Sequence, residues 1–182
     1  MPEKTVPRQT SPAGTGHTEH APAKTEAERQ QQGNQLLRLL ALDEHDLDVI
    51  SAHLQDAFVR RADLHYFPAE RRFVLAAQRF DWERDAKAAP QRRLTALHFE
   101  QVRAVRHRHL GQAPDALHTL LAIYFVENEK PSGAILLEFA GGAAILLDVE
   151  CVEAQLKDLG PVWNVEARPS HGQVEGDDAG KA

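Results

Sequence analysis

The chain carries one cysteine and one methionine among 182 residues. A lone thiol, Cys151, cannot close an internal disulfide, so the fold does not rest on oxidation. Cys151 alternates in phase with Val149 and reads as a small buried apolar residue. No base or cationic group stands near it in sequence to activate it. There is no run of about eighteen apolar residues, the length a membrane helix requires. The N-terminal stretch lacks the apolar segment of a secretory signal. A cytoplasmic protein without a membrane span is the expectation. Also missing are a Walker loop, a Rossmann glycine pattern, G-x-S-x-G, H-E-x-x-H and paired C-x-x-C. Nucleotide hydrolysis, dinucleotide redox chemistry and the commonest hydrolase mechanisms lose support. A net charge of −6 argues against a dedicated nucleic-acid binder, whose domains run strongly basic.

What is present is an ordinary core in one domain. Hydrophobic residues make up 42% and charged residues 26%, typical of a globular protein. Residues 1–33 are rich in Pro, Thr, Gln, Glu and Lys, and 167–182 are similarly poor in large apolar side chains. Such segments bury too little surface to offset their ordering entropy. Both are read as disordered tails around a single domain over 34–166.

Gly141-Gly142, between two apolar runs, marks a tight hairpin, because paired glycines accept positive φ. A loop of Ala140-Gly141-Gly142, with Gly142 left-handed, keeps the faces consistent. Ile135, Leu137 and Phe139 then share a face with Ala143, Ile145, Leu147 and Val149. The opposite face holds Leu136, Glu138, Ala144, Leu146 and Asp148. Leu136 and Leu146 are unusually apolar for an outer face and suggest that something covers it.

Upstream, residues 36–42 read as a first strand. Asp43 then caps a helix through residue 57 with Leu47, Ile50 and Leu54 as its buried stripe. Two strands flank a turn at Pro68. One strand is expected over 93–105, after a linker over 85–91. Another runs over residues 116–126, with Leu117, Thr119, Leu121, Ile123 and Phe125 on one face. Val152, Leu156 and Leu159 recur at helical spacing before Gly160-Pro161, which predicts a short C-terminal helix. Trp163 is expected to fold back on the sheet. The fold class is therefore α+β: a curved antiparallel sheet of about seven strands, barrel-like or pleckstrin-homology-like, with one helix after the first strand and a short C-terminal helix.

Four groups of residues are candidates for function. His107 and His109 are the tightest of ten histidines, but Arg106 and Arg108 interleave with them and no carboxylate completes a ligand set. No metal or cofactor site is assigned, and no catalytic residue. His98, Glu100, His118 and Tyr124 would form a polar strip if their strands paired, the residue types that general acid–base chemistry uses. The segment Arg79–Glu83, RFDWE, puts Phe80 and Trp82 on one face. They finish the core, or Trp82 with Arg79 anchors a partner. The arginine-rich middle, from Arg60 to Arg108, could follow a phosphate backbone, or simply solvate strand edges.

The segments LRLLALDEHDLDVISAHLQDAFVR, ERRFVLAAQRFDWE, LHFEQVRAVR, LLAIYF and FAGGAAILLDVECVEAQLKDLGPVW, in that order, resemble the DUF2948 family. The resemblance runs from about residue 35 to residue 168. It implies an uncharacterised bacterial cytosolic protein and supplies no activity, cofactor or catalytic residue. The reading that follows is a non-enzymatic binding or adaptor protein, acting on a protein partner or as a homodimer. The alternatives are a small-ligand binder or enzyme at the His/Glu/Tyr strip, and RNA or single-stranded DNA binding through the arginines.

Overall fold

The computed structural model describes residues 36–83 and 87–169. The N-terminal tail expectation, and the C-terminal one from residue 170, lie outside the described residues. In chain order the elements are β1 (Arg38–Ala41), α1 (Glu44–Leu54), β2 (Ala57–Phe67), β3 (Arg72–Phe80), β4 (Gln91–Phe99), β5 (Val102–Arg108), β6 (Leu117–Glu129), β7 (Ser132–Phe139), β8 (Ala144–Val149) and β9 (Ala154–Asn164). The strands form one nine-stranded antiparallel sheet in the order β1-β9-β4-β3-β2-β6-β7-β8-β5. Among the described residues β1 and β5 remain its two edges, so the sheet does not close into a barrel.

Local chemistry explains several elements directly. Asp43 Oδ1 accepts the Asp46 N–H at 2.9 Å and caps α1, which buries Leu47, Ile50 and Leu54. Gly141 and Gly142 hold φ of 74° and 77° in the loop between β7 and β8. Leu137 faces Ile145 and Ile135 faces Leu147, all four buried, so the hairpin has the anticipated register and faces. Pro68 opens a 3-10 turn between β2 and β3 that ends on Arg71 at φ 53°.

Several expectations are corrected. The strand count is nine rather than seven, because the presumed C-terminal helix is β9 and the strand over 93–105 is broken in two. In β9, Ala154, Leu156 and Asp158 are buried while Lys157 and Leu159 are exposed, a period of two. Hydrogen bonding to β1 on one side and β4 on the other overrides the helical spacing of Val152, Leu156 and Leu159. Gly160, at φ 101°, belongs to a bulge opposite the register shift between Arg93 and Thr95, not to a helix end. Without that helix, a helix-capped pleckstrin-homology barrel is excluded.

The long strand breaks at Glu100-Gln101, where Gln101 takes a left-handed φ of 57° and the chain turns from β4 into β5. In β6 a register shift between Leu120 and Ala122 changes the phase. Leu120 and Ile123 therefore point inward, while Leu117 and Leu121 are 53% and 45% exposed. The Ile123 N–H next to this shift is satisfied by Ser51 Oγ of α1 at 2.8 Å. Trp163 does not fold back on the sheet: it is part of β9, opposite Arg92 of β4, and is half-buried.

The short connections curl the sheet on itself. β4 and β5 are joined by two residues yet stand third and last in the sheet order. The segment joining β8 to β9 crosses the same gap. The two crossings bond to each other, Glu100 N–H to Glu153 C=O at 2.9 Å and Glu150 N–H to Gln101 C=O at 3.1 Å. The core lies inside the curl, and α1 adds its stripe to that same core.

Candidate functional site

The inward face does not end in apolar residues. Along β3, Phe73, Leu75, Ala77 and Arg79 are buried in alternation. Along β4, Arg93 and Thr95 continue the phase of Leu97 and Phe99. Arg79 meets Asp158 of β9 through two bonds, Nε to Oδ1 at 2.9 Å and Nη2 to Oδ2 at 2.8 Å. Thr95 Oγ1 donates to Oδ1 at 2.6 Å, and the Leu37 N–H to Oδ2 at 3.0 Å. Burial alone would raise the Asp158 carboxyl, but these donors outweigh it and hold it below the usual carboxylate range.

Arg79 Nη1 also reaches Glu83 Oε2 at 3.1 Å, and Glu83 Oε1 lies 2.8 Å from His53 Nδ1. Burial works against ionisation of Glu83, yet His53, Asp81 and Arg79 together push its carboxyl well down. Asp81 goes the other way: burial and the adjoining Glu83 raise it, against the opposing bond from Arg93 Nε at 2.6 Å. A group of this kind holds strands together. Arg79 is 1% exposed, with its guanidinium held inside by Asp158 and Glu83, which favours the core reading of this segment over the partner anchor. Trp82 is 37% exposed and packs against buried Phe80, with ring centroids 4.5 Å apart and the planes tilted by 55°.

The polar strip does not form. β3 and β2 separate β4 from β6, so His98 and Glu100 are divided from His118 and Tyr124. His98 and Glu100 line a cleft of about 370 Å³ with Leu40, Arg72, Glu153 and Gln155. There Arg72 Nε donates to Glu100 Oε1 at 2.7 Å, and His98 Nε2 lies 3.5 Å from the same oxygen. His118 sits edge-on to Phe139 at 5.9 Å, with a buried Nε2 that has no hydrogen-bond partner among the described residues. Tyr124 lies by Glu138, and desolvation together with that carboxylate raises its hydroxyl.

The arginine-rich middle is largely neutralised internally. Arg60 pairs with Asp63, Arg71 with Glu150, Arg72 with Glu100 and Glu70, Arg93 with Asp81, and Arg103 with Asp148. Arg92 donates Nη1 to the carbonyls of Asp56 and Gln78, and its guanidinium lies 3.8 Å over the Phe58 ring. Arg84 lies outside the described residues. No group of three or more His, Cys, Asp or Glu is placed to hold a metal ion among the described residues.

The outer face of β6, β7, β8 and β5 is different in kind. One row across it runs Tyr124, Leu136, Leu146, Arg106, each opposite the next. The flanking rows run Val126, Ala134, Asp148, Ala104 and Ala122, Glu138, Ala144, Arg108. Leu136 and Leu146 are half-buried by their neighbours in the sheet. Since α1 packs into the core on the inner side, it does not cover them. The outward position of these two leucines is legible from hairpin alternation. The arrangement of Arg106 and Arg108 beside them depends on β5 pairing with β8, a non-local contact with no local signature.

A family of proteins of unknown function, DUF2948, has a model that matches residues 37–171. The chain belongs to this family. The DUF2948 match takes in α1 and every strand described above. No curated protein and no solved structure matches the chain. No helix among the described residues is long and apolar enough to cross a membrane.

Proposed function

We propose that this DUF2948 protein is a non-enzymatic binding protein that engages a protein partner through the outer face of β6, β7, β8 and β5. The observation that carries this reading is the Leu136–Leu146 pair at the centre of that face, with no described element over it. A contiguous apolar patch rimmed by polar groups is the usual mark of an interface. Tyr124 and Arg106 at the ends of the row are residue types that dominate such contacts. The sequence adds that none of the common catalytic motifs is present.

The test is affinity capture from native lysate after nuclease treatment, comparing the wild type with a Leu136→Asp/Leu146→Asp variant. Both side chains are half-buried and face each other, so a circular dichroism spectrum and melt of the variant first show that it folds. Loss of a stoichiometric partner on substitution supports the reading. A partner kept at full yield by the variant defeats it.

A second reading has one observation in its favour, the cleft at Arg72, His98 and Glu100. It would take a small polar ligand. A compound that raises the melting temperature of the wild type but not of a His98→Ala/Arg72→Ala variant would move the function there.

A further inference from the structure

β5 is a sheet edge whose outward backbone groups can be identified. In the hairpin of β7 and β8, the Phe139 N–H donates to the Ala143 carbonyl at 2.9 Å. Hydrogen-bonded pairs alternate along antiparallel strands, so Leu137 with Ile145 and Ile135 with Leu147 are the next such pairs. Ala144, Leu146 and Asp148 must then aim their backbone groups at β5, where they face Arg108, Arg106 and Ala104. Val105 and His107 consequently present their N–H and C=O groups to the open side. The Arg103 carbonyl, in the same phase, accepts the Tyr66 hydroxyl at 3.0 Å, which marks where this open edge begins. Beyond that point no described strand pairs with β5 except β8.

The side chains at this edge carry positive charge. Arg106 and Arg108 are exposed, and two-residue alternation sets both on the outer face. Neither forms an ion pair with a described residue, in contrast to Arg103, which Asp148 holds at 2.6 Å. On the inner side, half-buried Val105 packs against the core. Adjacent positive charges oppose edge-to-edge pairing with a second copy. They favour a strand of opposite charge.

We propose that the open edge of β5 takes an extended acidic segment of a partner protein as an added strand. Its carboxylates stand at alternate positions beside Arg106 and Arg108, and its intervening apolar side chains continue the inner face at Val105. This deepens the protein-binding reading and rests on it, since Leu146 faces Arg106 and makes the edge continuous with the Leu136–Leu146 patch. Main-chain bonds to Val105 and His107 would supply affinity, and the two arginines would set the pattern that is recognised.

The experiment titrates the full-length chain with a short synthetic peptide alternating glutamate and valine. The control has the same composition with its glutamates in one block. The alternating peptide should bind at least about tenfold more tightly than the control. It should slow hydrogen exchange at the Val105 and His107 amides, and an Arg106→Glu/Arg108→Glu variant should lose it. Equal binding of both peptides, binding without that protection, or displacement by a single-stranded oligonucleotide would overturn strand addition. If no peptide binds while Leu136→Asp/Leu146→Asp still abolishes partner capture, strand addition fails alone and the face reading stands.

Discussion

Arg79 and Asp158 clamp β3 to β9 across the strand between them, through two bonds of 2.9 and 2.8 Å. Both side chains are 1% exposed, and Thr95 of β4 donates to the same carboxylate from beneath. Desolvating two charges is costly, so such a pair adds little against an apolar substitute, yet removing one member is severe. Asp158→Leu is expected to cost about 3–5 kcal/mol in urea denaturation. The double variant Arg79→Met/Asp158→Leu should recover part of that loss. A double variant no better than the single would show that the two groups do not act as a unit.

The same carboxylate makes stability depend on pH. Its folded pKa lies below the ordinary value, so its contribution is full above the ordinary carboxylate range and is lost as pH falls through the lowered value. The stability gap between the wild type and Asp158→Asn should therefore be widest near about pH 7 and narrow towards about pH 3. Denaturant midpoints at the two pH values measure this. A gap that widens on acidification would refute the assignment.

Gly133 is required by space. A Cβ there would lie 2.4 Å from Phe125 Cζ and 2.6 Å from the Val126 carbonyl oxygen. Gly133→Ala should cost about 1–3 kcal/mol through overpacking, with a matching fall in melting temperature. Gly111→Val tests the separate effect of backbone strain, because the φ there is 53° with open space around it.

Ser51→Ala would strip the Ile123 N–H of its acceptor at the β6 irregularity. The expected loss is about 1–3 kcal/mol, the penalty for an unsatisfied buried donor. Faster hydrogen exchange at Ile123 should accompany it, and Ser51→Thr should restore the protection.

Cys151 should be a sluggish nucleophile. Burial, Glu153 and Glu150 all raise its thiol, which reduces the reactive thiolate. Labelling by an aromatic disulfide reagent near neutral pH should be slower than that of free cysteine, and faster in a Glu150→Gln/Glu153→Gln variant.

Elements decided by short-range chemistry are legible in this sequence. Asp43 caps α1, Pro68 turns the chain between β2 and β3, and the two glycines place Ile135, Leu137, Ile145 and Leu147 on one face. The burial of Arg79 was also legible, since it follows Phe73, Leu75 and Ala77 in strict alternation. It passes unnoticed because an arginine in phase with a core is ordinarily taken for a strand end. The His98, Glu100, His118 and Tyr124 strip depended on which strands are neighbours, and alternation within a strand says nothing about that.

By itself, the sequence determined the helix cap, the hairpin loop, the alternating faces and the family. Each is a matter of residue type at spacings of a few positions, where backbone sterics and hydrogen bonding act directly. The tertiary structure alone decided that residues 154–164 form a strand, because β1 and β4 flank them and satisfy their backbone groups. It alone curled β5 and β8 over the core, and so left Arg106, Arg108 and the leucine pair on an open face. Pairing between segments far apart in the chain is chosen by burial of the whole core, and no short window of residues contains that choice.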